Sequence, residues 1–116
     1  MKLIIAIVHP QSLPAVEAAL NGDTATLLSV SQVVGSGREP GYTQTYRGRD
    51  FQVRRPKLRL EIAVSDTSVE SVVQSVAQAA AGGDAAANND GKIFVTDLHQ
   101  CVNVRHGEGA ITTVAM

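Results

Sequence analysis

The chain has 116 residues, of which 44% are apolar and 3% aromatic, and a formal charge of −1. This length supports a single domain, 1–116, with one core built from Val, Ile, Leu and Ala, and the near-zero charge argues against gross electrostatic capture of nucleic acid. The lone cysteine, Cys101, excludes an internal disulfide, and no stretch has the roughly eighteen apolar residues of a membrane span, so a cytoplasmic protein is expected.

The opening run MKLIIAIV is also too short for a signal peptide. Within it, Lys2 to Val8 is apolar on both alternating sets, Leu3, Ile5 and Ile7 against Ile4, Ala6 and Val8. Such a strand is expected to be buried on both faces. His9-Pro10 ends it, and Ser12 is placed to cap a short helix reaching Leu20, which Asn21-Gly22-Asp23 stops. Thr24 to Val34 reads as a second strand. Leu58 to Val64 alternates as a third strand, antiparallel to the second, with Leu58, Leu60 and Ile62 on one side and Arg59, Glu61 and Ala63 on the other. Ser65-Asp66-Thr67 offers caps, and Thr67-x-x-Glu70 fits a capping box. Val69, Val72, Val73, Val76, Ala77 and Ala80 then recur at helical spacing up to Gly82-Gly83. A polar loop leads to a fourth strand, Lys92 to Thr96, and Val102 and Val104 mark a further short extended piece.

The order β-α-β-β-α-β predicts an α+β, ferredoxin-like fold. Both helices would cover one face of an antiparallel sheet, and the apolar set left on the other face predicts a homo-oligomer.

Gly35 to Lys57 interrupts this pattern with four glycines, two prolines, five arginines and a lysine against Glu39 and Asp50. A structureless loop of about twenty residues inside a small domain is unusual unless it binds something. At its start, Gly35-Ser36-Gly37-Arg38 reads either as an ordinary turn or as close-approach glycines with a phosphate-pairing arginine. Asn89-Asp90-Gly91-Lys92 reads either as a tight Asp-Gly turn or as a backbone nest with a lysine reaching a phosphate. Arg105 to Glu108 is a further polar cluster. His9, His99, His106 and Cys101 lack metal-ligand spacing, and no nucleophile–base or paired-carboxylate pattern stands out, so an enzyme is not expected.

Several motifs occur together in a fixed order: Gly35-x-Gly37-Arg38, Gly41-Tyr42-Thr43, Tyr46-Arg47-Gly48, Pro56-Lys57-x-x-x-Glu61, Asp90-Gly91-Lys92-Ile93-Phe94-Val95 and Arg105-x-Gly107-Glu108. With the opening Lys2 to Pro10, this set resembles the PII signal-transduction family over residues 1 to 108. The family pattern has about one residue more after Phe51 and about two fewer around Ala85 to Asn88. The resemblance implies a homotrimer that binds ATP or ADP in clefts between subunits. A long T-loop (about 37–56) would be presented to a target, such as a membrane transporter or an enzyme, with no nucleic-acid partner. It places Gly35, Ser36, Gly37, Arg38 and Glu39 at the phosphates, with Lys57 at the loop's end. Asn89, Asp90, Gly91 and Lys92 of the second loop (about 82–91) would cradle phosphates, and Asn103 and Arg105 would come from the C-terminal segment 103–116. Ser29 and Ala63 would lie at the adenine with Ile7 beneath it. Tyr42, Tyr46, Arg47, Arg49, Phe51, Arg54 and Arg55 would face the partner.

The departures from the family pattern shape the expectation. Phe51 stands where relatives carry a modifiable tyrosine, and lacking a hydroxyl it cannot be uridylylated. Glu39 stands for a glutamine that helps hold Mg²⁺ and 2-oxoglutarate. It could still ligate Mg²⁺, but its charge would oppose a 2-oxoglutarate carboxylate about 4 Å away by roughly 1 to 4 kcal/mol. Asn103 replaces a phosphate-binding arginine, Asn89 a glycine and His106 a threonine. A divergent member is expected, with a preference for ADP or AMP and a weak 2-oxoglutarate response, its loop tip at Phe51. Similar divergent members are associated with inorganic carbon or metal transport. The alternatives are a basic-loop binding module without a nucleotide switch and a small ferredoxin-like phosphatase.

Overall fold

A computed structural model describes residues 1–20, 25–34, 42–53, 55–81, 91–102 and 104. In chain order these form β1 (Lys2–Val8), a 3₁₀ turn (Pro10–Ser12), α1 (Leu13–Leu20), β2 (Ala25–Val34), β3 (Tyr42–Tyr46), β4 (Arg49–Val53), β5 (Pro56–Val64), α2 (Val69–Ala81) and β6 (Lys92–Asp97). The β-α-β-β-α-β order is carried by β1, α1, β2, β5, α2 and β6, with β3 and β4 inserted between the two middle strands.

Four strands pair antiparallel in the order β2-β5-β1-β6, which is the ferredoxin-like arrangement. Alternation divides the sheet into two faces. Ile4, Ala6 and Val8 of β1 and Leu60, Ile62 and Val64 of β5 join Val16 and Leu20 of α1 and Val72 and Val76 of α2 in one buried cluster. Burying each of the Val, Leu and Ile side chains contributes about 1.5–3 kcal/mol. The opposite set on β1 (Leu3, Ile5 and Ile7) is only partly buried within one chain, so this strand is sealed on one face and not on the other.

Local chemistry explains the boundaries. The Ser12 hydroxyl does not cap α1: it donates to the Ala80 carbonyl of α2 (3.4 Å), and the 3₁₀ turn begins at Pro10, where its absent N–H is no loss. α2 begins at Val69, with the Ser68 carbonyl accepting the Val72 N–H (3.0 Å). Thr67 therefore stands outside the helix, within 3.3 Å of the Ser65 hydroxyl, and the helix starts one residue later than the capping box expected from Thr67 and Glu70 requires. β5 starts two residues earlier than expected, at Pro56, which pairs with Val34 at the sheet's edge. β2 starts at Ala25 and carries a bulge between Leu27 and Ser29.

The stretch read as structureless contains a hairpin. β3 and β4 pair only with each other, from Tyr42–Val53 to Tyr46–Arg49. Arg47 and Gly48 form the two-residue turn, both with positive φ (52° and 79°), which is the type I′ geometry that suits the twist of paired strands. The tip is thus Arg47-Gly48. Phe51 lies within β4, opposite Gln44, and not at the tip.

Candidate functional site

Antiparallel pairing gathers one end of the sheet into a single locality. The end of β1 (Val8), the end of β2 (Val34) and the starts of β5 (Pro56) and β6 (Lys92) all lie there. Residue 35 follows β2 at this end, and residue 90 precedes Gly91 at the same end. The two segments singled out for backbone donors therefore both join the sheet here.

Three described residues give this end its character. Gly91 sits against the backbone of β1: a Cβ there would be 2.9 Å from the Ile7 carbonyl oxygen. This is a close approach that only glycine makes without displacing a neighbour. Lys92 begins β6 directly opposite Ile7 and is exposed. Lys57, opposite Val33 on β5, is only 4% exposed. Lysine is seldom buried so deeply without paired or bound groups. Lys92 and the glycine-tight backbone thus meet at Ile7, with Lys57 two residues along β5 from Ile7's partner Arg59, a donor set suited to a polyanion.

Ser29 and Ala63 lie elsewhere on the same face. The Ser29 hydroxyl donates to Glu61 Oε1 (3.1 Å), and Ala63, 2% exposed, pairs with Thr26 and Leu3. Arg59, opposite Ile7, is four residues from Ala63 along β5, which is about 13 Å at about 3.3 Å per residue. One chain therefore does not bring Ile7 beneath Ser29 and Ala63. Glu61 joins the Ser29 group although sequence reasoning gave it no site role. Its place in an ordinary polar alternation hid it, and Ser29 pointing at it from the neighbouring strand is visible only in the register.

The ribbon carries most of the residues expected to face a partner. Tyr46 is 63% exposed, Arg47 stacks over its ring (5.4 Å to the centroid), and Arg49 and Arg55 are exposed. The Thr45 hydroxyl donates to Asp50 Oδ1 (2.7 Å), tying β3 to β4 beside the turn. Tyr42 and Phe51 pair with Val53 and Gln44 respectively. Gly35, Ser36, Gly37, Arg38, Glu39, Arg54, Asn89, Asp90, Asn103 and Arg105 lie outside the described residues. Among the described residues no three His, Cys, Asp or Glu side chains gather as a metal site, and no helix is long and apolar enough to cross a membrane.

At the far end of the sheet, Lys2 and Asp97 form an exposed ion pair across β1 and β6. The hydrogen bond, and then the opposite charge, hold the Asp97 carboxyl below and the Lys2 ammonium above their ordinary ranges. The Met1 ammonium meets Asp66 at 3.0 Å.

The sequence profile described as nitrogen regulatory protein P-II matches residues 1–108. The chain belongs to the P-II family. Among relatives, it is 39% identical to nitrogen regulatory protein P-II 2 of Methanothermobacter thermautotrophicus over 109 residues, covering 93% of this chain and 92% of that one. It is 39% identical to nitrogen regulatory protein P-II of Rhizobium etli and 36% identical to nitrogen regulatory protein GlnK of Escherichia coli K12, each over 93% of this chain and 95% of the relative. P-II proteins are regulatory signal-transduction proteins and not enzymes, and the four-stranded sheet with two helices described above is consistent with their fold.

Proposed function

We propose that this P-II chain is a non-enzymatic, homotrimeric, cytoplasmic sensor that binds an adenine nucleotide between subunits and acts on a target protein through the β3–β4 ribbon. The observation that carries this reading is the convergence at Ile7: Gly91 pressed against its carbonyl, Lys92 opposite it, buried Lys57 nearby, and both glycine-containing segments entering at the same end. Gly35 to Glu39 and Asn89 to Asp90 would complete the phosphate cradle, with Asn103 and Arg105 from the C-terminal segment. The separation of Ile7 from Ser29 and Ala63 fits a cleft in which one copy supplies the phosphate end and a neighbour supplies Ser29 and Ala63 for the base.

Asn103 in place of an arginine favours fewer phosphates, so ADP or AMP over ATP. Glu39 could hold Mg²⁺ but opposes a dicarboxylate. With Phe51 in β4, control comes from the nucleotide at the ribbon's base and not from tyrosine modification. Coupling requires that the nucleotide bind two ribbon states with different affinity. The target, such as a membrane transporter, would meet Tyr46, Arg47, Arg49 and Arg55, together with Tyr42, Phe51 and Arg54.

Calorimetric titration with ATP, ADP and AMP, with and without Mg²⁺, tests this reading. Saturable binding of at least one is expected, with little added by 2-oxoglutarate. Absence of heat with all three at millimolar concentration would falsify it, and strong 2-oxoglutarate synergy would overturn the role given to Glu39.

A further inference from the structure

β1 ends at the proposed anion site and delivers a titratable side chain there. His9 follows Val8 in extended backbone (φ −68°, ψ 144°), and its carbonyl accepts the Ser12 N–H at 2.9 Å, which fixes the turn out of the strand. Because this backbone is still extended, the alternation of β1 continues for one residue and puts His9 on the face of Ile7. Val8 is opposite Leu58, so the next position along β5 is Lys57, while Ile7 has Arg59 on one side and Lys92 on the other. Residues directly opposite in a ladder lie about 4.5–5.5 Å apart, and diagonal ones about 7–8 Å. Partly buried, His9 therefore stands among three cations on one face: Lys57 across from it, Arg59 and Lys92 diagonal to it. The turn Pro10–Ser12 brings no ionisable side chain, and the nearest carboxylate of β5 on this face is Glu61, further back, opposite Ile5. The two segments that join the sheet here, outside the described residues, carry Arg38, Glu39 and Asp90 in their sequence.

We propose that His9 makes this site pH-sensitive: a phosphate-bearing ligand is held more tightly when the imidazole is protonated, and its binding takes up a proton there. The inference rests on the nucleotide reading and deepens it by naming how that site is regulated. Histidine is the side chain whose charge ordinarily changes between about pH 5 and 8, whereas lysine and arginine ordinarily keep theirs. A proton on His9 makes a fourth cation at this end. Like charges oppose that proton while no anion is bound, and the phosphates of a ligand reverse the balance. Linkage is reciprocal, so a ligand that favours the proton is itself favoured by it, and affinity rises as pH falls. An ionised donor also gives a phosphate oxygen a hydrogen bond about twice as strong as a neutral one.

The test is calorimetric titration of the full chain with ATP, ADP and AMP at about pH 6 and about pH 8, on wild type, His9→Gln and His9→Lys. Circular dichroism checks that each is folded at both values. The nucleotide's own terminal phosphate titrates in this window, so proteins are compared with one another at each pH, where that contribution cancels. The affinity ratio of wild type to His9→Gln is expected to grow by about fivefold from the higher pH to the lower. His9→Lys, which carries a fixed charge, is expected to bind about threefold or more tighter than wild type at the higher pH. Titrations at neutral pH in two buffers of different ionisation enthalpy should show more proton uptake by wild type than by either variant. An equal pH dependence in wild type and His9→Gln would overturn the role of His9 alone. Should His9→Gln not fold, a His9→Lys protein with no gain at the higher pH and the proton uptake of wild type would overturn it equally. No heat with any of the three nucleotides at either pH would overturn the nucleotide reading and this role together.

Discussion

Gly91 and Ile7 are joined by a contact too tight for any side chain: a Cβ on Gly91 would sit 2.9 Å from the Ile7 carbonyl oxygen. The atom in the way is backbone in a central strand and cannot rotate aside. Gly91→Ala must therefore push the start of β6 off β1. Overpacking of this kind typically destabilises by about 1–3 kcal/mol. Urea unfolding is expected to show a loss in that range, and calorimetry a larger proportional loss of nucleotide affinity, because the displaced segment leads into Asn89 and Asp90.

Lys57 offers a direct test of the site. If its ammonium meets a phosphate, Lys57→Met keeps most of the volume and removes a charge-assisted bond of about 1.5–3 kcal/mol. Nucleotide affinity should fall roughly 10- to 100-fold by that conversion. Unchanged affinity would remove Lys57 from the site.

The turn of the ribbon gives an independent check on its geometry. Gly48 has φ +79° with open space around it, so Gly48→Ala introduces conformational strain and no collision. That strain is worth about 1–2 kcal/mol. Because the ribbon's ladder is its own, faster amide exchange is expected at Tyr46 and Arg49, with the melting temperature of the body unchanged. Arg47→Gly should act in the opposite direction on exchange, since Arg47 already occupies the left-handed region at φ 52°.

The Lys2–Asp97 pair predicts a pH dependence away from the site. Asp97 is depressed when folded, so its contribution is present above the unfolded carboxylate pKa of about 4 and is lost as pH falls through the lower folded value. Lys2 is raised, so its contribution is present below about 10.4 and is lost as pH rises through the higher folded value. Melting curves of wild type and Asp97→Asn should differ at neutral pH and converge in strong acid. Nucleotide affinity should be the same in both at neutral pH, because the pair lies at the far end of the sheet.

Much of the body was legible because period and burial coincide there. Val69, Val72, Val76 and Ala80 repeat at helical spacing and produce α2, and the two apolar sets of β1 announced a strand central to the sheet. What escaped was decided by contacts between distant residues. The bulge at Leu27 to Ser29 changes which face the rest of β2 presents, and two adjacent leucines do not reveal that. Ser12 looks like a cap until Ala80 arrives to accept its proton. The ribbon escaped because Arg47 holds a positive φ that sequence reasoning reserves for Gly or Asn, and because the β-forming run Tyr42 to Tyr46 was outweighed by the glycines and prolines around it. In the site, Gly91 reads from the sequence either as part of a tight turn or as part of a phosphate nest, and neither reading shows its close contact with a carbonyl more than eighty residues away in the chain.

The self-contained ladder of β3 and β4 has a consequence for how such a chain can diversify. Since β3 and β4 share no ladder with the four-stranded sheet, the ribbon can lengthen or shorten by matched pairs of residues while the register of the body stays the same. Reach toward a target and grip on a ligand then become separately adjustable, and a lineage can exchange one for another without rebuilding its core.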